Sequence, residues 1–248
     1  MSTLLWFLVA AVFVLGGFVK GVVGLGLPTI TMGLLSLVML PAQAAALLVV
    51  PSLITNLWQI GGPGFVVLAR RLAPMLVGVC VGVALGSGWL GGGDWASAGL
   101  GAALVVYAAL GLLHWRLRVQ AAHEAWLGPL IGVATGLVTA ATGVFVIPAV
   151  PYLQALGLQK DELVRALGLS FLVSTVALAA SLGVDGALHG PALLGSALAV
   201  APALLGMGAG QWLRSRVQAE TFKTMFFAGL LLLGLYLALR GGLHLWHG

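Results

Sequence analysis

The chain has 248 residues, 61% of them hydrophobic and 7% charged, with a mean hydropathy of +1.14. Soluble domains carry roughly 25% charged residues, so a water-soluble globule is excluded and a polytopic helical membrane protein is indicated. The net charge of +5 comes from eleven Lys and Arg scattered mostly between apolar segments, which reads as topology signals and not as a nucleic-acid surface.

The N-terminal stretch Met1 to Leu15 has no basic n-region and no small-residue cleavage site, so it reads as a retained helix. Apolar segments then run over about 4–24, 27–39, 42–60, 72–90 and 96–115, followed by 126–138, 144–156, 163–183, 190–210 and 221–240. Cys80, the single cysteine, falls inside a segment, which excludes an intramolecular disulfide and a Cys-rich metal site.

The first segment contains the most unusual stretch, Gly16-Gly-Phe-Val-Lys-Gly-Val-Val-Gly-Leu-Gly-Leu-Pro-Thr29. Glycine and proline interrupt a helix there and leave backbone groups without intrahelical partners. In hydrocarbon that is tolerated only where the backbone is buried in protein or lines a polar cavity. Lys20 stands just before this turn. An ionisable group at membrane depth costs at least about 2.5 kcal/mol and marks a functional site; snorkelling to an interface is the alternative.

The second half of the chain repeats the first. Gly17-Phe-Val-Lys-Gly21 aligns with Gly132-Val-Ala-Thr-Gly136, and Leu137-Val-Thr-Ala-Ala-Thr-Gly143 follows as a second broken stretch. Gly82 and Gly86 are expected to correspond to Gly206 and Gly210, and the run from Ala102 to Trp115 to that from Ala228 to Arg240. Small residues at this spacing allow close helix approach. The expected organisation is residues 1–118 and residues 119–248 as two inverted repeats of one all-α membrane domain. Each repeat carries a re-entrant, broken, Gly-rich helical hairpin plus three membrane helices.

Charge decides between inverted and parallel repeats. With straight crossings, five basic residues fall on each side. With re-entrant hairpins, Arg70, Arg71, Arg116, Arg118, Lys160, Arg165, Arg214, Arg216 and Lys223 share one side, opposite Arg240, Asp94 and Asp185. The positive-inside rule favours the second arrangement, with the basic side cytoplasmic and both termini on the non-cytoplasmic side of the inner membrane. Segments 27–39 and 144–156 are too short to cross a ~30 Å core, so their tips are expected to meet near mid-membrane.

At each tip a half-helix would begin, near Leu27 and near Val144, with unsatisfied N–H groups and a positive dipole end. Two such ends facing one cavity make an anion site. Gly24, Gly26 and Pro28 shape the first tip and Gly143 the second. Thr29, Thr31, Thr139 and Thr142 could add hydroxyl donors, although each can instead bond to its own helix. Ser52, Thr55, Asn56 and Gln59 recur at spacings of three and four and so form one polar stripe, echoed by Ser170, Ser174 and Thr175. Asn56 and Gln59 are the candidates for orienting the anion. Arg165 sits at helical spacing from Asp161 and Glu162, as a surface ion pair would. Trp58, Trp89, Trp95, Trp115, Trp126 and Trp212 fall near segment ends, as interfacial anchors do. Pro129, Pro148 and Pro191 mark starts or kinks, and His244 and His247 read as a frayed tail.

These residues resemble the TauE/SafE sulfite exporter family. The resemblance rests on the Gly17–Pro28 stretch, Leu40-Pro-Ala-Gln-Ala-Ala, Pro51 to Gln59, Gly136 to Pro148, the Gly157 turn and Ala166-Leu-Gly-Leu-Ser170. Gly21, Gly24 and Gly26 fit the family's glycine pattern. Leu27 and Pro28 replace its last two glycines, Gly33 stands where its proline is expected, and Thr139 and Ala141 replace glycines in the second copy. The resemblance implies movement of sulfite or organosulfonates across the membrane, where the residues alone imply a small anion.

The expected partners are therefore a small anionic substrate and the lipid bilayer, without nucleic acid, cofactor or metal, in a monomer or a homodimer. A non-transporting membrane scaffold and a transporter of a different small anion are the alternatives. An intramembrane enzyme and a cation transporter are both disfavoured by the lack of acidic residues inside the segments.

Overall fold

The structure is a computed structural model that describes residues 3–62, 64–91, 94–113, 118–214, 216 and 219–247. Trp115 and Arg116 lie outside the described residues, as do the side chains of His244 and His247. Among the described residues every regular element is helical: α1 (Thr3–Val23), α2 (Leu27–Leu35), α3 (Pro41–Gln59), α4 (Phe65–Leu85), α5 (Asp94–Leu112), α6 (Ala121–Thr142), α7 (Ala149–Ala155), α8 (Lys160–Val184), α9 (Gly190–Leu198), α10 (Val200–Arg214) and α11 (Ala219–His247), with a 3-10 turn at Trp89–Gly91. Among the described residues eight stretches are long and apolar enough to cross a membrane: α1, α3, α4, α5, α6, α8, the α9–α10 pair and most of α11. The chain is a multi-pass membrane protein.

Of the short helices, α2 and α7 are the ones that fold back. Gly26 lies against Val19, and Gly16 against Leu27 and Thr31, so α2 runs antiparallel to α1 after a reversal at residues 24–26. Gly24 and Gly26 hold φ of 88° and 123°, values that side chains with a Cβ rarely adopt. In the second half, Gly143 ends α6 with φ 71°, and Gly128 faces Tyr152, so α7 returns along α6.

The hairpins differ from expectation in detail. The nine residues of α2 give about 13 Å of helix, and residues 36–39 finish the return as turn. The second half-helix begins at Ala149, not near Val144, and has seven residues. Pro148 has no N–H and disfavours helical backbone at Ile147, so the apolar run 144–148 stays non-helical although its composition suits a helix.

Helix pairing follows the small residues. On α1, Gly17 packs on Ala203 and Met207, and Gly21 on Met207 and Gly210, so α1 and α10 run parallel. On α6, Gly132 packs on Met75 and Gly78, and Gly136 on Val79 and Gly82, so α6 and α4 run parallel in the same manner. A Cβ on Gly82 would stand 2.2 Å from the Val133 carbonyl oxygen, closer than any real contact. The counterparts of Gly206 and Gly210 are thus Gly78 and Gly82, one turn earlier than the expected Gly82 and Gly86.

The helices expected to correspond between the two halves run in opposite senses. Ser52 meets Thr175 while Asn56 and Gln59 meet Gly168, so α3 and α8 are antiparallel. Gly101 meets Ala238 while Gly111 meets Phe227, so α5 and α11 are antiparallel too. This is the relation inverted repeats would produce. Arg71, Arg118, Lys160, Arg214 and Lys223 gather at one end of the bundle. Arg240 reaches the Leu37 carbonyl, and Asp185 accepts from Gly88 N–H, at the other.

Proline breaks are repaired by neighbours. Pro51 lacks the N–H that would bond the Leu47 carbonyl inside α3. Ser196 of α9 donates its hydroxyl to that carbonyl at 2.8 Å and accepts from Val50 N–H at 2.9 Å. In hydrocarbon an orphaned carbonyl has no water to turn to, so this one serine joins α9 to α3. The segment expected as a single helix over 190–210 is interrupted at Ala199, where Pro202 leaves the Leu198 carbonyl without its donor.

Candidate functional site

The last turn of α1, the first tip, the C-terminal half of α3 and the middle of α8 meet in a polar cluster. Lys20 is 2% exposed. Its Nζ donates to Thr55 Oγ1 at 3.0 Å and, more closely, to Asn56 Oδ1. Asn56 Nδ2 donates to Ser52 Oγ at 3.1 Å, and Ser52 and Thr175 share a hydroxyl hydrogen bond at 3.1 Å. The chain Lys20–Asn56–Ser52–Thr175 therefore crosses from α1 through α3 to α8.

Ammonium has three donors, and two of them are used here. The carbonyl ends of the last turn of α1 oppose the charge in part. Every hydrogen-bond partner of the ammonium is a neutral oxygen, whereas a buried charge usually requires an opposite one.

The polar stripe on α3 divides into two uses. Ser52, Thr55 and Asn56 are buried and serve the lysine. Gln59 turns instead to the tip and donates its amide to the Gly24 carbonyl at 2.9 Å, leaving Oε1 without a partner among the described residues. Gln59 thus holds the turn that precedes α2, which uses one of its two amide hydrogens and leaves one donor beside the acceptor Oε1. Ser170 and Ser174 are fully buried on the stretch of α8 that faces Ser52 to Asn56, and their hydroxyls have no partner among the described residues.

The threonines adopt local bonds. Thr29 donates to the Gly26 carbonyl at 2.9 Å, Thr139 to Thr135 at 2.7 Å and Thr142 to Val138 at 2.7 Å, so each uses its one hydrogen on nearby backbone. Thr142 Oγ1 also accepts from Val144 N–H and so shapes the second tip. Thr31 is buried, and its hydroxyl has no partner among the described residues. Pro28 occupies the first turn of α2, where its missing N–H costs nothing.

A cavity of about 840 Å³ opens at the basic end. Val23, Gly24 and Leu25 of the first tip line it, as do Val150 and Gln154 of α7, Lys160 and Val164 of α8, and Tyr107 of α5. The cavity reaches the first tip but not the second: Thr139, Thr142 and Gly143 are absent from its walls, and Gly143 packs instead on Met32 and Ala45. The bend at Gly143 stays off this cavity, while α7, which begins at Ala149, brings its first turn, Val150 and Pro151, and Gln154 to the wall. Val22, Val23, Gly24 and Leu25 bring the cavity to the end of α1, and Lys20 does not line it.

Arg165 lies under Gly62 in the α3–α4 connection and does not line the cavity. Arg71 pairs with Glu124 at that end, at 2.6 Å. Four cavity residues went unrecognised as a group in the sequence, Arg118, Lys160, Arg214 and Lys223. They lie in four separate regions and show no common motif.

Neither the curated proteins nor the solved structures yield a match to this chain. A family model does: the one described as sulfite exporter TauE/SafE matches residues 8–237, which takes in the α1–α2 hairpin, the α3 stripe and every helix through most of α11. With that match over almost its whole length, the chain belongs to the TauE/SafE sulfite exporter family of membrane transporters.

Proposed function

We propose that the protein moves small sulfur oxyanions, sulfite or simple organosulfonates, across the inner membrane by alternating access, and that Lys20 supplies the charge that holds them. The observation that carries this reading is a buried ammonium whose hydrogen-bond partners are all neutral. An anion on its third donor would provide the missing charge, with Asn56 fixing the direction of the ammonium and the Ser170 and Ser174 hydroxyls within the same layer of helices. The positive-inside rule makes the basic end cytoplasmic and puts both termini on the other side. The cavity is then the cytoplasmic approach, closed from Lys20 by the Gly24–Gly26 turn. Motion of that turn, released when Gln59 lets go of Gly24, would join the two, in keeping with the hinge role of discontinuous helices in secondary transporters.

The test is flux of labelled sulfite into proteoliposomes, with sulfate, ethanesulfonate and a neutral sulfone as competitors. Saturable sulfite flux, inhibited by ethanesulfonate and indifferent to the sulfone, supports the reading. Flux no greater than in protein-free vesicles refutes it.

A further inference from the structure

The cavity carries more positive charge than topology requires. Arg118, Lys160, Arg214 and Lys223 line it, arriving from the segment before α6, the first residue of α8, the last of α10 and the first turns of α11. Among the described residues no Asp or Glu joins them on the walls. Positive-inside signalling asks only that basic residues stay on one side of the membrane, not that four of them surround one space. Deeper in, Tyr107 lines the same cavity with its ring edge-on to Phe227 at 5.2 Å. Tyr107 is 3% exposed and its hydroxyl has no partner among the described residues. A buried hydroxyl left unbonded is unfavourable, so the site is short of an acceptor.

From this arrangement we infer that the cavity is itself an anion site, distinct from Lys20, that captures a sulfur–oxygen anion between the four cations and the Tyr107 hydroxyl. The inference rests on the transport reading above for its direction, inward from the basic end to the tip. Cations around a concave, low-dielectric wall focus the field and raise the local concentration of the opposite charge. At physiological salt the screening length is about 8 Å, so capture of this kind weakens as salt rises. Leu110, Val150 and Leu163 give the wall an apolar side. A sulfonate with a short hydrocarbon body can rest there while its head faces the cations, and sulfite binds by charge alone.

The experiment compares initial sulfite flux from the basic side at low and high ionic strength for the natural protein, for Arg118→Gln with Lys160→Gln, and for Tyr107→Phe. Loss of two charges is expected to raise KM roughly threefold to tenfold at low salt, to flatten its salt dependence and to leave kcat unchanged. Tyr107→Phe keeps the ring against Phe227 and is expected to raise KM about threefold with the salt dependence intact. Unchanged KM and salt dependence in both variants overturn the inference, and Tyr107→Phe alone decides if the double variant folds poorly. A second arm separates this claim from the transport reading. Lys20→Ala protein, titrated calorimetrically with sulfite, is expected to retain salt-sensitive binding that Arg118→Gln with Lys160→Gln removes. Absence of that binding overturns the vestibule whatever the outcome for flux.

Discussion

Replacing Asn56 by leucine probes the polar cluster most sharply. Asn56 is one of two hydrogen-bond partners of the Lys20 ammonium, the other being Thr55 at 3.0 Å. Leucine is of similar size, so packing is nearly kept while the ammonium loses a charge-assisted bond worth about 1.5–3 kcal/mol. Ser52 loses its amide donor but keeps Thr175. For a chain of this length each kcal/mol corresponds to about 2–4 °C, so a loss near 2 kcal/mol lowers Tm by roughly 4–8 °C. The same substitution in a Lys20→Met background removes no charged bond and deletes an Asn56 Oδ1 that would otherwise be orphaned. There the drop should be under about 2 °C, giving a coupling of about 1–2 kcal/mol. The assay is thermal unfolding of the four proteins in one detergent. Equal drops in both backgrounds would mean that the lysine charge does not depend on Asn56, and the reasoning would fail.

Three further outcomes follow from packing and backbone accounting. Gly82→Ala puts a methyl 2.2 Å from the Val133 carbonyl oxygen and forces α4 from α6, so it should cost about 1–3 kcal/mol; Gly208→Ala, with open space around it, should leave Tm unchanged. Ser196→Ala orphans the Leu47 carbonyl and should cost about 1–3 kcal/mol, read as a lower Tm, whereas Ser196→Thr should retain most of the stability. Gln59→Leu removes the donor to the Gly24 carbonyl, worth about 1 kcal/mol, so amide exchange across residues 24–26 should accelerate roughly fivefold while exchange within α5 stays unchanged.

Much of this architecture was legible because a few residues leave no alternative. Gly24, Gly26 and Pro28 within an apolar run demand a break, and the structure reverses the chain there. The Gly17–Gly21 and Gly132–Gly136 pairs foretold close helix contacts, and both are contact points. The gathering of basic residues at one end followed from counting charges. Other features were hidden for physical reasons. Gly78, Gly82 and Gly86 repeat every four residues, so spacing alone cannot say which two meet a partner helix; the contact register decides. The run from Val144 to Ile147 has the composition of a helix, but the proline after it delays α7 to Ala149. Periodicity placed Gln59 on the stripe with Asn56, yet one more helical turn carries it to the level of the tip, where a carbonyl needs a donor. Three of the four threonine hydroxyls read as ligand donors, those of Thr29, Thr139 and Thr142, were taken by backbone carbonyls three or four residues back. The cationic cavity could not be read at all, because its residues are brought together only by the packing of α5, α7, α8, α10 and α11.

The central claim is that the charge of Lys20 holds the transported anion. Initial sulfite flux in proteoliposomes, compared between the natural protein and a monodisperse, folded Lys20→Ala variant at equal protein, tests it most directly. The account predicts that the variant falls to the background of protein-free vesicles. Flux at the natural rate would contradict it and remove Lys20 from the path.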